Sequence, residues 1–220
     1  MAWAFRSKSD NVNSSYAEAT IVITKPSGTA SGDLLFAAIA SDDFNISSAP
    51  SGWTLIRNTL SSYANRLLTY YKVAGGSEPA DYTWTFSAST DLTGAVLAYT
   101  GLTSTPLDVE NVQENASSTS VTAPSITVTN NDSLLIFVGS TNEDNDATTY
   151  TPPSGMTERV DRFNTWTSME VADQNVASGA TGTRVATATN AHPNLGYLVA
   201  FIQTVAAGSK GGLALLGVGS

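Results

Sequence analysis

Two stretches of this chain repeat each other in order, and that duplication restricts its possible folds more than any other feature. Pro50-Ser51-Gly52-Trp53-Thr54 returns as Pro153-Ser154-Gly155-Met156-Thr157. Upstream, Leu34-Leu35-Phe36 is matched by Leu134-Leu135-Ile136, and downstream Gly94-Ala95-Val96-Leu97-Ala98-Tyr99 is matched by Gly196-Tyr197-Leu198-Val199-Ala200-Phe201. A bias toward Ser and Thr does not place a Pro-Ser-Gly turn and a Gly-led apolar strand in the same register twice. The repeats divide the chain into residues 1–108, residues 109–205 and a Gly/Leu-rich tail, residues 206–220.

Each copy reads as about six strands. Thr20–Thr24 and Ser125–Thr129 are short and β-branched. Leu34–Ala40 and Leu134–Gly139 are near-continuous apolar runs, which suit strands covered on both sides. Tyr82, Trp84 and Phe86 alternate with Thr83 and Thr85, a period of two with an aromatic inner face. The corresponding Thr183–Ala188 is much lighter, so the second copy must fill its core differently. Gly75-Gly76, Pro50-Ser51-Gly52 and Asn130-Asn131-Asp132 separate the runs as turns. No window carries a capped 3.6-residue apolar stripe. The expected fold is therefore all-β: two tandem, duplicated antiparallel β-sandwiches of jelly-roll or immunoglobulin-like type. Two sandwiches packed side by side are expected, with a single interleaved sandwich as the alternative.

Composition narrows the function. The chain has 10 Lys and Arg against 19 Asp and Glu, a net charge of -9. Four Lys and six Arg scattered along it cannot form the basic patch that gripping phosphates requires, which argues against a nucleic-acid partner. Cysteine is absent, which excludes disulfide frameworks and thiol catalysis. The start, Met1-Ala2-Trp3-Ala4-Phe5-Arg6-Ser7-Lys8, lacks the apolar core of a signal peptide. The apolar stretch from Gly211 to Gly219 is too short to span a bilayer. A soluble chain made in the cytoplasm, with no membrane association, is expected.

Motifs for catalysis are missing. The single histidine, His192, lies in Asn190-Ala191-His192-Pro193-Asn194, a turn context without a nucleophile elbow, and no enzyme is expected. Asn142-Glu143-Asp144-Asn145-Asp146 presents oxygen ligands of the kind Ca²⁺ takes, with Glu143, Asp144 and Asp146 as candidate metal ligands. It lacks the glycine and closing glutamate of an EF-hand loop, so a solvated loop is the simpler expectation and no cofactor is required. Tyr63, Tyr150 and Trp166 fall in or near turns, where exposed aromatics could stack on a carbohydrate. The Asn-x-Ser patterns at Asn13, Asn45 and Asn115 mean little without an export signal.

Ser31-Gly32-Asp33-Leu34-Leu35, Pro50-Ser51-Gly52-Trp53-Thr54, Tyr70-Tyr71-Lys72-Val73-Ala74, Glu78-Pro79-Ala80-Asp81-Tyr82-Thr83-Trp84 and Ala98-Tyr99-Thr100-Gly101 together resemble a β-sandwich module of phage virion structural proteins, also found in bacterial surface proteins. The second copy departs at Met156 and lacks the Tyr-Tyr-Lys and Tyr-Thr-Trp strings. The resemblance implies a virion location and a structural role without catalytic residues: capsid decoration (cement) or a head or tail accessory. The alternative is a carbohydrate-binding adhesin or receptor-binding module. It further implies a homo-oligomer, expected as a trimer on a symmetry axis, contacting other virion proteins such as a major capsid protein. Trp3 and Phe5 in a polar arm, and Leu213, Leu215, Leu216 and Val218 in the tail, are the residues expected to make such contacts.

Overall fold

A strand with apolar residues on both faces is stable only in a sheet that is covered twice. Leu34–Ala40 and Leu134–Gly139 meet that condition. The computed structural model describes residues 2–13, 18–142 and 146–204, and in it both runs are fully buried. The first half supplies β1 (Ala4–Asn13), β2 (Thr20–Thr24), β3 (Leu34–Ser41), β4 (Ile46–Ser48), β5 (Thr54–Leu60), β6 (Arg66–Val73), β7 (Asp81–Phe86) and β8 (Leu92–Thr100). The second supplies β9 (Leu102–Ala123), β10 (Thr127–Val128), β11 (Ser133–Asn142), β12 (Tyr150–Thr151), β13 (Thr157–Phe163), β14 (Thr167–Val176), β15 (Gly179–Ala180) and β16 (Arg184–Gln203). All pairings among them are antiparallel.

The first half forms a five-stranded sheet, β1-β8-β3-β6-β5, faced by a three-stranded one, β2-β7-β4. The second half repeats the large sheet as β9-β16-β11-β14-β13. Its outer layer is built from the far ends of β9 and β16 with β12, beside a separate β10-β15 pair. The second half thus runs as continuous strands where the first is interrupted. β9 corresponds to β1 plus β2 and β16 to β7 plus β8, each long strand turning the corner between layers where the register shifts between Thr187 and Asn194. One residue type marks this corner in both halves. The Asn13 amide donates to the Thr20 carbonyl at 3.2 Å, and the Asn115 amide donates to the Thr122 carbonyl at 3.0 Å. Two of the Asn-x-Ser patterns are these corner residues.

The repeated Pro-Ser-Gly strings are β-turns. Trp53 N donates to Pro50 O at 3.4 Å and Met156 N to Pro153 O at 3.0 Å. Gly52 and Gly155 take φ of 82° and 79° at the third position, where a type II turn favours glycine.

The halves are all-β antiparallel sandwiches, as the sequence implies, but they are stacked face to face through their large sheets rather than side by side. The result is four layers with three cores. Alternate residues of β3 divide between two of them: Leu35, Ala37 and Ile39 point into the first sandwich with Trp84 and Tyr82, while Leu34, Phe36, Ala38 and Ala40 point into a core shared with the second half. From the other side β11 and β16 send Leu134, Ile136, Val138, Tyr197, Val199 and Phe201 into that shared core. Each such side chain is worth roughly 1.5–3 kcal/mol when fully buried, so neither half can be separated without exposing a large apolar face. The second sandwich solves its lighter outer strand by moving bulk inward. Ala37 and Trp84 of the first sandwich are replaced in the second by Phe137 and Ala186.

The stack is reciprocal, each half laying its first strand against the outer hairpin strand of the other. Arg162 on β13 pairs with Asp10 on β1, and Arg57 on β5 donates from Nε to Glu110 on β9 at 3.0 Å. The turn asparagines cross in the same way: Asn65 donates to Ser140 O at 2.9 Å and Asn164 to Leu92 O at 3.1 Å. Deeper in, the buried Tyr99 hydroxyl donates to Asp173 Oδ2 at 2.9 Å, and Arg159 holds both oxygens of the same carboxylate at 2.7 and 3.0 Å. Burial and the Asp173 charge both push the Tyr99 phenol well above its ordinary range, so it stays a donor. Removing Arg159 would leave a buried carboxylate with Tyr99 as its remaining side-chain partner. Arg159→Ala is expected to cost about 3 kcal/mol in urea unfolding; a loss under about 1 kcal/mol would show that this pair does not tie the halves.

Candidate functional site

The second strand of each outer hairpin faces its own sandwich core at alternate positions, and on β14 one of those positions is charged. Glu170 is 0% exposed. It pairs across the ladder with Asp161, while Glu158 pairs with Ala172, and the register shifts between Glu158 and Val160. In a regular strand, residues three apart face opposite sides. The bulge brings Glu158 and Asp161 onto the face that Glu170 occupies. A carboxylate oxygen from each of the three lies within 4.8 Å of the others.

This cluster is under-satisfied. Among the described residues, neither oxygen of Glu170 has a hydrogen-bond partner, nor does the buried Oδ1 of Asp161, while Asp161 Oδ2 accepts from Tyr150 N at 3.1 Å. Burial, then the charges of Glu158 and Asp161, pushes the Glu170 carboxyl up to about 9. Burial likewise raises Asp161, against the lowering effect of the Tyr150 amide. Glu158 is raised by burial and by Asp161, and lowered by Lys8. Among the described residues, none of the three forms an ion pair.

Glu170 and its neighbours were missed by reasoning from local motifs, since no short pattern contains them. The signal lay in the duplication. The same bulged hairpin in the first half pairs Leu55 with Tyr70 and Asn58 with Leu68. Glu158, Asp161 and Glu170 therefore stand where the first half has Leu55, Asn58 and Leu68.

Of the acidic residues picked from sequence, Glu143 and Asp144 lie outside the described residues. Asp146 is described and engaged: its Oδ2 meets His192 Nε2 at 2.8 Å and its Oδ1 accepts from Thr148 at 3.2 Å. His192 itself lies in β16, at the irregular stretch of its ladder.

The aromatic trio separates. Tyr150 is only 7% exposed, in the core of the second sandwich, with its hydroxyl bonded to Ser168 at 2.5 Å. Burial therefore removes it from any sugar-binding surface. Tyr63 is 51% exposed at the tip of the β5–β6 turn, and Trp166 is partly exposed in the equivalent β13–β14 turn. One polar side chain shapes each turn: Ser61 Oγ accepts from Tyr63 N and Asn65 N, and Asn164 Oδ1 accepts from Trp166 N and Thr167 N. Because Asn65 and Asn164 reach across to the same end of the opposing sheets, both aromatic tips stand at one end of the stack.

Trp3 and Phe5 find cover within the chain. Both pack edge-on against Tyr99, with ring centroids 5.9 and 5.5 Å away, and the Arg159 guanidinium lies 4.1 Å from the Phe5 ring centre. Trp3 also donates to Asn175 Oδ1 at 3.2 Å. The cover that the polar arm lacks comes from Tyr99 on the neighbouring β8 and from Arg159 and Asn175 of the second half. Leu213, Leu215, Leu216 and Val218 lie outside the described residues.

No protein-family model, curated protein or solved structure matches this chain.

Proposed function

We propose that this chain is a non-enzymatic structural protein of a phage virion, a capsid decoration (cement) protein or a related head or tail accessory. The observation that carries the reading is the run of strings from Ser31 to Gly101 that resembles the virion β-sandwich module. The fold supports it in a general way. Many of the named polar and aromatic groups hold one layer to the next, as in Arg159–Asp173, Arg57–Glu110 and the crossing asparagines. A block braced in this way suits a part that bears load. The acidic surface keeps such a part soluble at high copy number. Its partners on this reading are further copies of itself, as a trimer, and a major capsid protein, with the tail beyond Thr204 as the contact segment.

Electron microscopy of phage lysate labelled with an antibody to this protein tests the reading. Regular labelling of heads, with a trimer in light scattering of the pure protein, is the expected result. Particles that carry no label on heads or tails overturn it.

A second reading draws on the paired aromatic tips. Tyr63 and Trp166 occupy equivalent turns at one end of the block, where a receptor glycan could stack on them. Labelling confined to the tail tip, with glycan binding lost in Tyr63→Ala and Trp166→Ala, would favour that reading.

A further inference from the structure

We propose that Glu158, Asp161 and Glu170 bind one divalent cation, Ca²⁺, on the face of the β13–β14 hairpin that turns toward the second sandwich's own core. Their carboxylate oxygens already converge within 4.8 Å. Glu170 is completely buried, both its oxygens are unpartnered among the described residues, and its carboxylate converges on two others. A buried acceptor without a donor is costly, and a third negative charge beside it adds repulsion. A cation placed among the three removes both costs together.

The surroundings supply no substitute. Lys8 is the cation that acts on Glu158, and its ammonium is held by Asp10 at 2.6 Å. Tyr150 N fixes Asp161 through Oδ2, leaving Oδ1 directed elsewhere. Glu158 is exposed, which gives an ion a way in and water a place in its coordination shell.

The first half serves as an internal control. Its hairpin has the same bulge with Leu55, Asn58 and Leu68 at these positions, and Leu68 is buried in an apolar core. The fold therefore does not need carboxylates there. Three of them at the one matching set of positions form a ligand set added to a scaffold that stands without it. An all-oxygen, all-carboxylate set selects hard cations over Zn²⁺ or Cu²⁺. Ca²⁺ fits better than Mg²⁺, because it accepts irregular and bidentate carboxylate geometry where Mg²⁺ requires a strict octahedron.

The test uses the full chain stripped with EDTA and titrated with CaCl₂, followed by calorimetry and thermal melting. One site per chain is expected, with a melting temperature raised by roughly 5 °C or more at saturation and a smaller rise with Mg²⁺. Glu170→Gln is expected to weaken Ca²⁺ binding at least about tenfold. Glu158→Gln, at an exposed position, is expected to weaken it measurably, and Asp146→Asn to leave it unchanged. Absence of both heat and melting shift at millimolar Ca²⁺ overturns the proposal. So does binding that persists undiminished in Glu158→Gln and Glu170→Gln, which would place the ion elsewhere.

Discussion

Gly196→Ala is expected to destabilise the protein by about 3 kcal/mol or more, lowering the melting temperature by roughly 10 °C. A Cβ on Gly196 would sit 2.2 Å from the Thr122 carbonyl oxygen and 2.6 Å from Ala123 N. Both are backbone atoms of β9, at the point where that strand has turned the corner and crosses back over β16. No rotamer change can relieve the overlap, so the strand itself must move. Gly94 holds the same place in the first copy, but its added Cβ would meet side chains alone, the Cδ1 ends of Ile21 and Ile23 at 3.0 Å each and Ile39 Cγ1 at 3.4 Å. Those side-chain ends can shift by a few tenths of an ångström. Gly94→Ala is therefore expected to cost less than half as much. Equal losses in the two variants, measured by thermal melting, would refute this account of why the repeated strand begins with glycine.

Glu170→Leu is expected to stabilise the chelated protein, with a gain that grows with pH. Leucine is the residue the first half carries at this position, as Leu68. The sign follows from proton linkage. The Glu170 carboxyl titrates near 9 in the folded chain, against an ordinary glutamate value of about 4.3 when unfolded. Below the lower value both states hold the proton, and the group's contribution is fully present. Between the two values only the folded state keeps the proton, so the stability it contributes falls as pH rises. At about 1.4 kcal/mol per pH unit, the difference between variant and wild type should widen by about 4 kcal/mol from pH 5 to pH 8. Other carboxylates act in the opposite direction. Asp10 is held below the ordinary range by Lys8 and Arg162 despite its burial. The difference between variant and wild type isolates Glu170 from them. A difference in unfolding free energy that stays flat across that pH range would show that Glu170 is ionised and satisfied in the chelated protein.

Residue order alone established much of the architecture. The repeats at Pro50 and Pro153, and at Gly94 and Gly196, specified two copies of one unit, because turn geometry and close backbone approach demand particular residues at particular places. Strand-type periodicity at Tyr82–Phe86 and the doubly apolar runs at Leu34 and Leu134 specified antiparallel sandwiches with covered sheets. Both are local properties of a backbone that alternates its side chains from face to face.

What covers the second face of Leu34–Ala40 depended on the tertiary structure, since an apolar face specifies burial without specifying its partner. Only the stacking shows that the partner is the other half of the same chain. The same distinction explains Trp3 and Phe5, exposed in any local reading yet seated on Tyr99 and Arg159. It also explains Tyr150, which the turn context places outside and the core takes in. Glu158, Asp161 and Glu170 converge through a bulge and a ladder pairing between two strands. A site assembled from residues on different strands has no spacing of its own in the sequence. Its one trace there is that the second copy carries charge where the first carries Leu55 and Leu68.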